Sequence, residues 1–129
     1  MRPEDMVTRN SSGDTALHVA AREGSLEIVN ELLNCMRPED MAIPNSSGDT
    51  ALHVAVRYGR FEIVRELVIY MRSDDMLIPN SDGMLPLHFA ASYGYNSIVD
   101  FLSSLNFFYK MDSKDIERLF FMTIRTNMF

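Results

Sequence analysis

Thr50-Ala51-Leu52-His53-Val54-Ala55 repeats the earlier stretch Thr15-Ala16-Leu17-His18-Val19-Ala20, and a looser copy follows at Leu85-Pro86-Leu87-His88-Phe89-Ala90. The histidines of these three stretches lie 35 residues apart. A fixed period of this length is typical of stacked repeats, in which each repeat forms one small structural unit. Stacked repeats usually act by presenting a surface, so the sequence favours a binding function over a catalytic one.

Composition limits the kinds of partner that the chain can have. The 129 residues carry a net charge of −6, which argues against nucleic acid, because neutralising phosphates needs clustered lysine and arginine. The acidic balance favours a protein partner with a basic or mixed surface. The one cysteine allows no internal disulfide, and no apolar run approaches the roughly 18 residues of a membrane span. These features predict one domain in a reducing compartment.

Turn and helix signals repeat in every unit. In the second unit the Asn-Ser-Ser-Gly loop at 45–48 is a turn signal, and Thr50 can cap a helix that runs to about Arg57. Gly59 ends that helix, and apolar residues at helical spacing predict a second helix from about Phe61 to Tyr70. Neither helix is long enough to be stable alone, so the units must stack to bury both apolar faces.

The motif Gly-x-Thr-Ala-Leu-His, followed by Glu-Ile-Val in the second helix, resembles the ankyrin repeat. The resemblance covers about residues 10–105 and is specific, because it includes the Thr-x-Leu-His tetrapeptide and a glycine between the two helices. It implies an all-α ankyrin-repeat solenoid of stacked helix-turn-helix units with short hairpin loops, acting as a non-catalytic protein-binding module. We expect a single domain over residues 1–129, with units at about 11–45, 46–80 and 81–111 and a degenerate, incomplete unit at 112–129.

The connectors between units carry a narrower resemblance. Met36-Arg37-Pro38-Glu39-Asp40-Met41 makes each unit slightly longer than the usual ankyrin repeat of about 33 residues. This connector is similar to those of the plant ankyrin proteins with a C-terminal membrane domain, the PGG domain, which include the accelerated-cell-death and ion-tolerance proteins. The resemblance implies a region on the cytoplasmic side of a plasma-membrane protein concerned with defence or stress signalling.

Two alternatives to that interpretation remain open. The first is that the chain is a regulatory segment of a multi-pass membrane protein, and the second is that it is a soluble truncated paralogue with no independent activity. Met1 to Met6 repeats Met36 to Met41, and the last residues resemble only part of a unit. We therefore expect the chain to be a fragment.

The repeated histidines are candidates for metal ligands or for structural residues. At one per 35-residue unit they lie along a row and not around one ion, so we expect no metal site. The ankyrin resemblance implies that each histidine bonds the loop of a neighbouring unit while the threonine three residues earlier holds its ring. The expected structural clamps are Thr15, His18, Thr50, His53 and His88. Leu85 replaces the third threonine, so we expect the clamp at His88 to be weaker.

Paired carboxylates recur in the connectors, for example at Glu39 and Asp40. General acid–base catalysis needs two carboxyl groups that face one pocket, whereas these pairs recur along the chain in solvated segments. We therefore expect no catalytic residue, no cofactor and no enzyme activity. Pro38 suits the first position of a short helical turn, which we expect Asp40 to cap or bracket.

The resemblance also implies that loop tips and inner-helix ends line a concave face that contacts a protein partner. Tyr58 and Tyr93 occupy equivalent positions, with Arg57 beside the first, and tyrosine and arginine are frequent interface anchors. The alternative is that these side chains are only solvated surface. The expected partner-contacting residues are Ser11, Ser12, Asp14, Arg22, Glu23, Ser46, Ser47, Asp49, Arg57, Tyr58, Ser81, Asp82, Met84, Ser92 and Tyr93.

Both ends of the stack are expected to be poorly covered. An apolar stripe predicts a helix from about Asp112 or Ser113 that packs on the third unit, in preference to a membrane-surface helix, because it lacks a basic polar face. The residues of this stripe are Ile116, Leu119, Phe120 and Ile124. Three other apolar residues are expected to be partly exposed, namely Phe121, Met128 and Phe129. At the other end we expect Leu17, Val29 and Leu32 to be exposed, and therefore a chain that aggregates or is marginally stable.

Overall fold

The computed structural model describes residues 7–105 and 113–125, and within them the regular structure is helical, without strands. Of residues 120–125 it describes the backbone alone. The α-helices are α1 Ala16–Glu23, α2 Leu26–Cys35, α3 Ala51–Arg57, α4 Phe61–Tyr70, α5 Pro86–Tyr93, α6 Asn96–Ser104 and α7 Ser113–Arg125. Short 3-10 helices at Pro38–Ala42 and Ser73–Leu77 lie in the connectors. The all-α prediction is confirmed.

Helix boundaries follow from the local signals in the sequence. α3 begins directly after Thr50, whose extended backbone and side-chain oxygen cap it, and α4 has the predicted bounds. Gly24 ends α1 in the left-handed conformation, with φ of 79°, and its N–H donates to the carbonyls of Ala20 and Ala21. Pro38 opens the 3-10 helix of the first connector, as predicted.

The helices form two rows. A first row of α1, α3, α5 and α7 is more tightly packed than a second row of α2, α4 and α6, and the paired helices of each unit pack across the rows. The core is a continuous layer of leucine, valine, isoleucine and alanine between the rows. Buried Met41 and Met76 close the connectors against this core.

The expected exposure of Leu17, Val29 and Leu32 is wrong, because all three are buried. They belong to the continuous buried core that the helices of successive units share. The prediction that the chain aggregates or is marginally stable therefore loses the support of these three residues. Exposure at this end belongs instead to Ile28, which is 49% exposed.

The last helix, α7, packs on α5 of the third unit, as the apolar stripe predicts. Leu119 packs against the core, whereas Ile116 is exposed. The side chains of Phe120, Phe121 and Ile124, together with Met128, Phe129 and the connector copy at 1–6, lie outside the described part of the chain. No helix over residues 7–105 or 113–125 combines the length and apolar character that crossing a bilayer requires.

Candidate functional site

Each of the first two repeated histidines joins its own helix to the loop of the next unit. His18 Nε2 lies 2.8 Å from the carbonyl oxygen of Asp49, and His53 Nε2 lies 2.9 Å from that of Met84. The backbone N–H groups of Thr15 and Thr50 donate to Nδ1 of these rings at 3.0 and 3.1 Å. Because a backbone N–H can only donate, Nδ1 is the acceptor, and Nε2 carries the proton that it donates to the carbonyl.

Burial keeps these two rings neutral. It lowers the pKa of His18 and His53 below the ordinary value of 6.5, although the hydrogen bonds to the Asp49 and Met84 carbonyls act in the opposite direction. A protonated Nδ1 could no longer accept the threonine N–H. The neutral ring is therefore the form that joins the two units.

The third histidine bonds in the same manner without a threonine. His88 Nδ1 accepts the backbone N–H of Leu85 at 2.9 Å, and His88 Nε2 lies 2.9 Å from the carbonyl oxygen of Asp115 in α7. The hydroxyl contacts that Thr15 and Thr50 make with Nδ1, at 2.9 and 3.0 Å, have no counterpart on the leucine side chain. The weaker clamp expected here rests on that one missing contact.

Asp14 and Asp49 lie in the interior, although sequence analysis placed them among the partner contacts. They are 5% and 1% exposed. Asn45 Nδ2 donates to Asp14 and Asn80 Nδ2 donates to Asp49, each at 2.9 Å, so both carboxylates bind the loop of the next unit. A buried carboxylate that is already bonded on both sides cannot meet a partner, and we remove these two residues from the proposed contact surface.

An arginine completes each of these carboxylate sites. Arg22 lies 3.0 Å from Asp14 and Arg57 lies 3.1 Å from Asp49. Burial acts to raise the pKa of Asp14, but the hydrogen bonds from Asn45 and Arg22 outweigh it and the pKa is lowered. The two guanidinium groups are thereby held in place, with about a third of each side chain exposed (36% and 37%).

The remaining expected contact residues lie at the surface. The structure exposes the loop-tip residues Ser11, Ser12, Ser46, Ser47, Ser81 and Asp82 and the helix-end residues Glu23, Tyr58, Ser92 and Tyr93, and it half-buries Met84. Neighbouring loop tips are joined through their backbones, because Ser46 N–H donates to Ser12 at 3.1 Å and Ser81 N–H donates to Ser47 at 3.0 Å. The stacked tips therefore form one continuous edge.

Aromatic side chains cluster at the ends of α3 and α5. Tyr93, which is 50% exposed, packs against Phe89 and Tyr95 with ring centroids 6.2 and 5.7 Å apart. The Arg57 guanidinium lies over the Phe89 ring, 4.7 Å from its centroid. Tyr58 stands one unit before Tyr93 and is 48% exposed. A partly exposed ring that is packed against its neighbours, as Tyr93 is, is suited to contact a partner, because little side-chain freedom remains to be lost.

Sequence reasoning missed several contacts between units. Arg60 donates to the carbonyl oxygen of Arg22 at 2.9 Å, and Tyr95, at the equivalent position one unit later, donates to that of Arg57 at 3.2 Å. The turn signal predicts only a loop at Asn45, whereas Asn45 and its counterpart Asn80 each bond a carboxylate 31 positions earlier. The available signal was that Asp and this Asn recur together at that separation in both units.

The described residues 7–105 and 113–125 contain no group of three His, Cys, Asp or Glu side chains placed to hold a metal ion. Two crevices, of about 290 and 270 Å³, lie where consecutive units meet at the helix turns. The first includes Arg60 and Glu62, and the second is lined by Gly59, Phe61, Tyr95, Asn96, Ser97 and Ile98. Glu62 is the one carboxylate among the residues that line these two crevices, so neither holds the pair of carboxyl groups considered for acid–base catalysis.

Comparison with known protein families agrees with this geometry. A family model described as ankyrin repeats in three copies matches the chain over residues 2–76 and 39–115. No curated protein sequence matches the chain significantly.

Proposed function

Because the chain belongs to the ankyrin-repeat family, we propose that it binds a protein partner through the face formed by its loop tips and first-row helix ends. We call this the binding face. It comprises Ser11, Ser12, Arg22, Glu23, Ser46, Ser47, Arg57, Tyr58, Ser81, Asp82, Met84, Ser92 and Tyr93. A protein-binding role without catalysis fits the repeat fold.

One observation carries the proposal. Tyr58 and Tyr93 are each about half exposed at equivalent positions, and Tyr93 rests on the buried Phe89 beside a guanidinium that Asp49 holds in place. Tyrosine and arginine are enriched among the residues that dominate binding energy at protein interfaces. The serines of the loop tips would then form the polar rim of the same contact.

The test compares tyrosines on the two sides of the stack. A candidate partner is first identified by cross-linking the chain in cell extract and sequencing the attached peptides. Calorimetry is then run with the purified partner and the double variant Tyr58→Ala/Tyr93→Ala. Loss of two interface anchors, at more than about 1 kcal/mol each, should weaken binding by roughly 30-fold.

Tyr70→Ala is the matched control, because Tyr70 is also partly exposed but lies on the second-row helix α4. It should change the dissociation constant less than about twofold, within the scatter of neutral interface positions. Unchanged affinity in the double variant, or an equal loss in Tyr70→Ala, would contradict the proposed face. Thermal melts should show that all three proteins are fully folded at the temperature of the calorimetry, which excludes unfolding as the cause.

The connector resemblance supports a narrower proposal. We infer that this region is the ankyrin part of a membrane-anchored plant protein in defence or stress signalling, carried on the cytoplasmic side. The support is the Met-x-x-x-Asp-Met pattern at 36–41 and 71–76. The genomic sequence downstream of the codon for Phe129 tests it: four apolar stretches of about 20 residues each would support it. A polar capping helix and a stop codon would refute it.

A further inference from the structure

The amino-terminal face of the stack, defined by Ala16, Val19 and Ile28, exposes apolar surface that the other units bury. Ile28 is 49% exposed, whereas its counterparts Ile63 and Ile98 are each 2% exposed. Ala16 and Val19 are half-buried, whereas Ala51 and Val54 are buried. The difference arises because the later units pack these positions against the preceding helix pair. The first unit therefore presents the surface that the second and third units each bury against the unit before them.

Polar groups on this face repeat the pattern. Asn45 and Asn80 use their Nδ2 atoms to bond the carboxylate of the preceding unit, but in the described part of the chain the Nδ2 of Asn10 meets no acceptor. Ser46 and Ser81 donate their backbone N–H groups to the preceding loop tip, and the N–H of Ser11 makes no such bond within the same residues. Both donors are at an exposed edge.

We propose that the amino-terminal face is an interface for one further ankyrin unit that carries an aspartate in its loop and a histidine in its first helix. Such a unit would offer Asn10 a carboxylate, offer the Ser11 N–H a loop carbonyl and cover Ile28, as the first unit does for the second. Its histidine would donate to the carbonyl of Asp14, just as His18 donates to that of Asp49.

A second copy of this chain does not present the required surface. The carboxylates of Asp14 and Asp49 already bind Asn45 and Asn80 within the stack. The third unit has Met84 at that position, and α7 covers its outer side, where Arg118 donates to the carbonyl of Gly83 at 2.7 Å. The occupant is therefore a unit with the intact Gly-Asp-Thr-Ala-Leu-His loop.

The experiment supplies such a unit. A copy of residues 7–35 is placed directly before Met1, so that the junction into Met1–Met6 reproduces the natural junction into Met36–Met41. The extended chain should melt at least about 5 °C above the original in a single transition, the shift that a well-formed interface gives in a domain of this size. Hydrogen exchange at the Ser11 amide should slow at least tenfold.

Ile28→Glu separates a built interface from a general effect of lengthening the chain. In the original protein it should lower the melting temperature by less than about 2 °C, because Ile28 is half exposed. In the extended protein it should abolish the gain, because a buried charge is placed where Ile63 packs one unit later. Equal losses in both proteins would contradict the proposal.

Two further outcomes would overturn it. If Asp14→Ala and His18→Ala, made in the added copy alone, leave the full gain in melting temperature, the polar groups of the face have no role. If the original chain forms dimers in sedimentation equilibrium that Ile28→Glu dissociates, the occupant is a second copy. An extended chain that is no more stable than the original also refutes the proposal. None of these results depends on the binding face.

Discussion

Replacing His53 by alanine should be one of the most destabilising single changes in the stack. The ring is completely buried, accepts the N–H of Thr50 at 3.1 Å and packs edge-on against Phe89 with centroids 5.5 Å apart. Without it the buried N–H of Thr50 loses its acceptor, at about 1–3 kcal/mol. The vacated volume adds about 2 kcal/mol. The Met84 carbonyl keeps the N–H of Asn80 at 2.9 Å, so its loss is small.

The expected total of about 3–5 kcal/mol is a large share of the roughly 5–15 kcal/mol that stabilises a domain. Equilibrium unfolding in urea, followed by circular dichroism, measures it. His88→Ala should cost about 0.5–1.5 kcal/mol less, because Leu85 provides no hydroxyl contact to lose. Thr50→Val removes that contact from the second clamp and should narrow the gap. A loss below about 1 kcal/mol for His53→Ala, or a clearly larger loss for His88→Ala, would refute the reasoning.

Three other predictions concern pH, a glycine and an asparagine. The pKa of His18 and His53 is lowered in the folded state, so the unfolded chain binds more protons below pH 6.5. Stability should therefore be complete above that pH and fall as the pH drops, which urea midpoints at pH 7.5 and 5.5 would show, and a flat profile would contradict it. Gly48→Ala should cost at least about 1 kcal/mol more than Gly94→Ala. Both glycines have positive φ, of 80° and 73°, but a Cβ on Gly48 would lie 2.6 Å from the backbone nitrogen of Ser81, whereas Gly94 has open space around it. Equal melting temperatures for the two variants would count against the close approach of the loops. Asn80→Asp should destabilise the chain by about 2–4 kcal/mol, since it places a second carboxylate against Asp49, while Asn10→Asp keeps the same turn and should be nearly neutral. Equal losses in urea unfolding would show that the turn alone matters.

Local signals in the sequence were sufficient for the helices. The bounds of α4 agree with prediction because Gly59 and the apolar spacing are properties of adjacent residues. Predictions of exposure were wrong where they depended on the direction in which a side chain points. Leu17 belongs to an end unit, but its side chain points towards the next helices, and only backbone geometry determines that. The unit boundaries and the choice of partner-contacting residues stay predictions.

The prediction of the candidate site was wrong for two of its residues. Asp14 and Asp49 stand at positions that the resemblance leaves free to vary, so their exposure was a reasonable expectation. Each instead pairs with an asparagine 31 residues later and an arginine 8 residues later, in separate segments of the chain. A buried carboxylate is stable only with such partners, and their joint recurrence was visible in the sequence. Positions that the repeat pattern leaves free to vary can therefore still be structural in this chain.

The differences between units separate the residues that hold the stack together from the residues that are available to bind a partner. The first two junctions share a threonine, an aspartate and an arginine, and in the third unit these become Leu85, Met84 and Ser92. With the aspartate and arginine gone, the end of α5 loses its ion pair, and Tyr93 packs there with Phe89 and Tyr95. Arg57, still held by Asp49, forms the near edge of this cluster by lying over Phe89. The carboxylate site at Asp49 therefore orients an arginine beside the partly exposed aromatic cluster around Tyr93, which connects the polar interior to the proposed binding face.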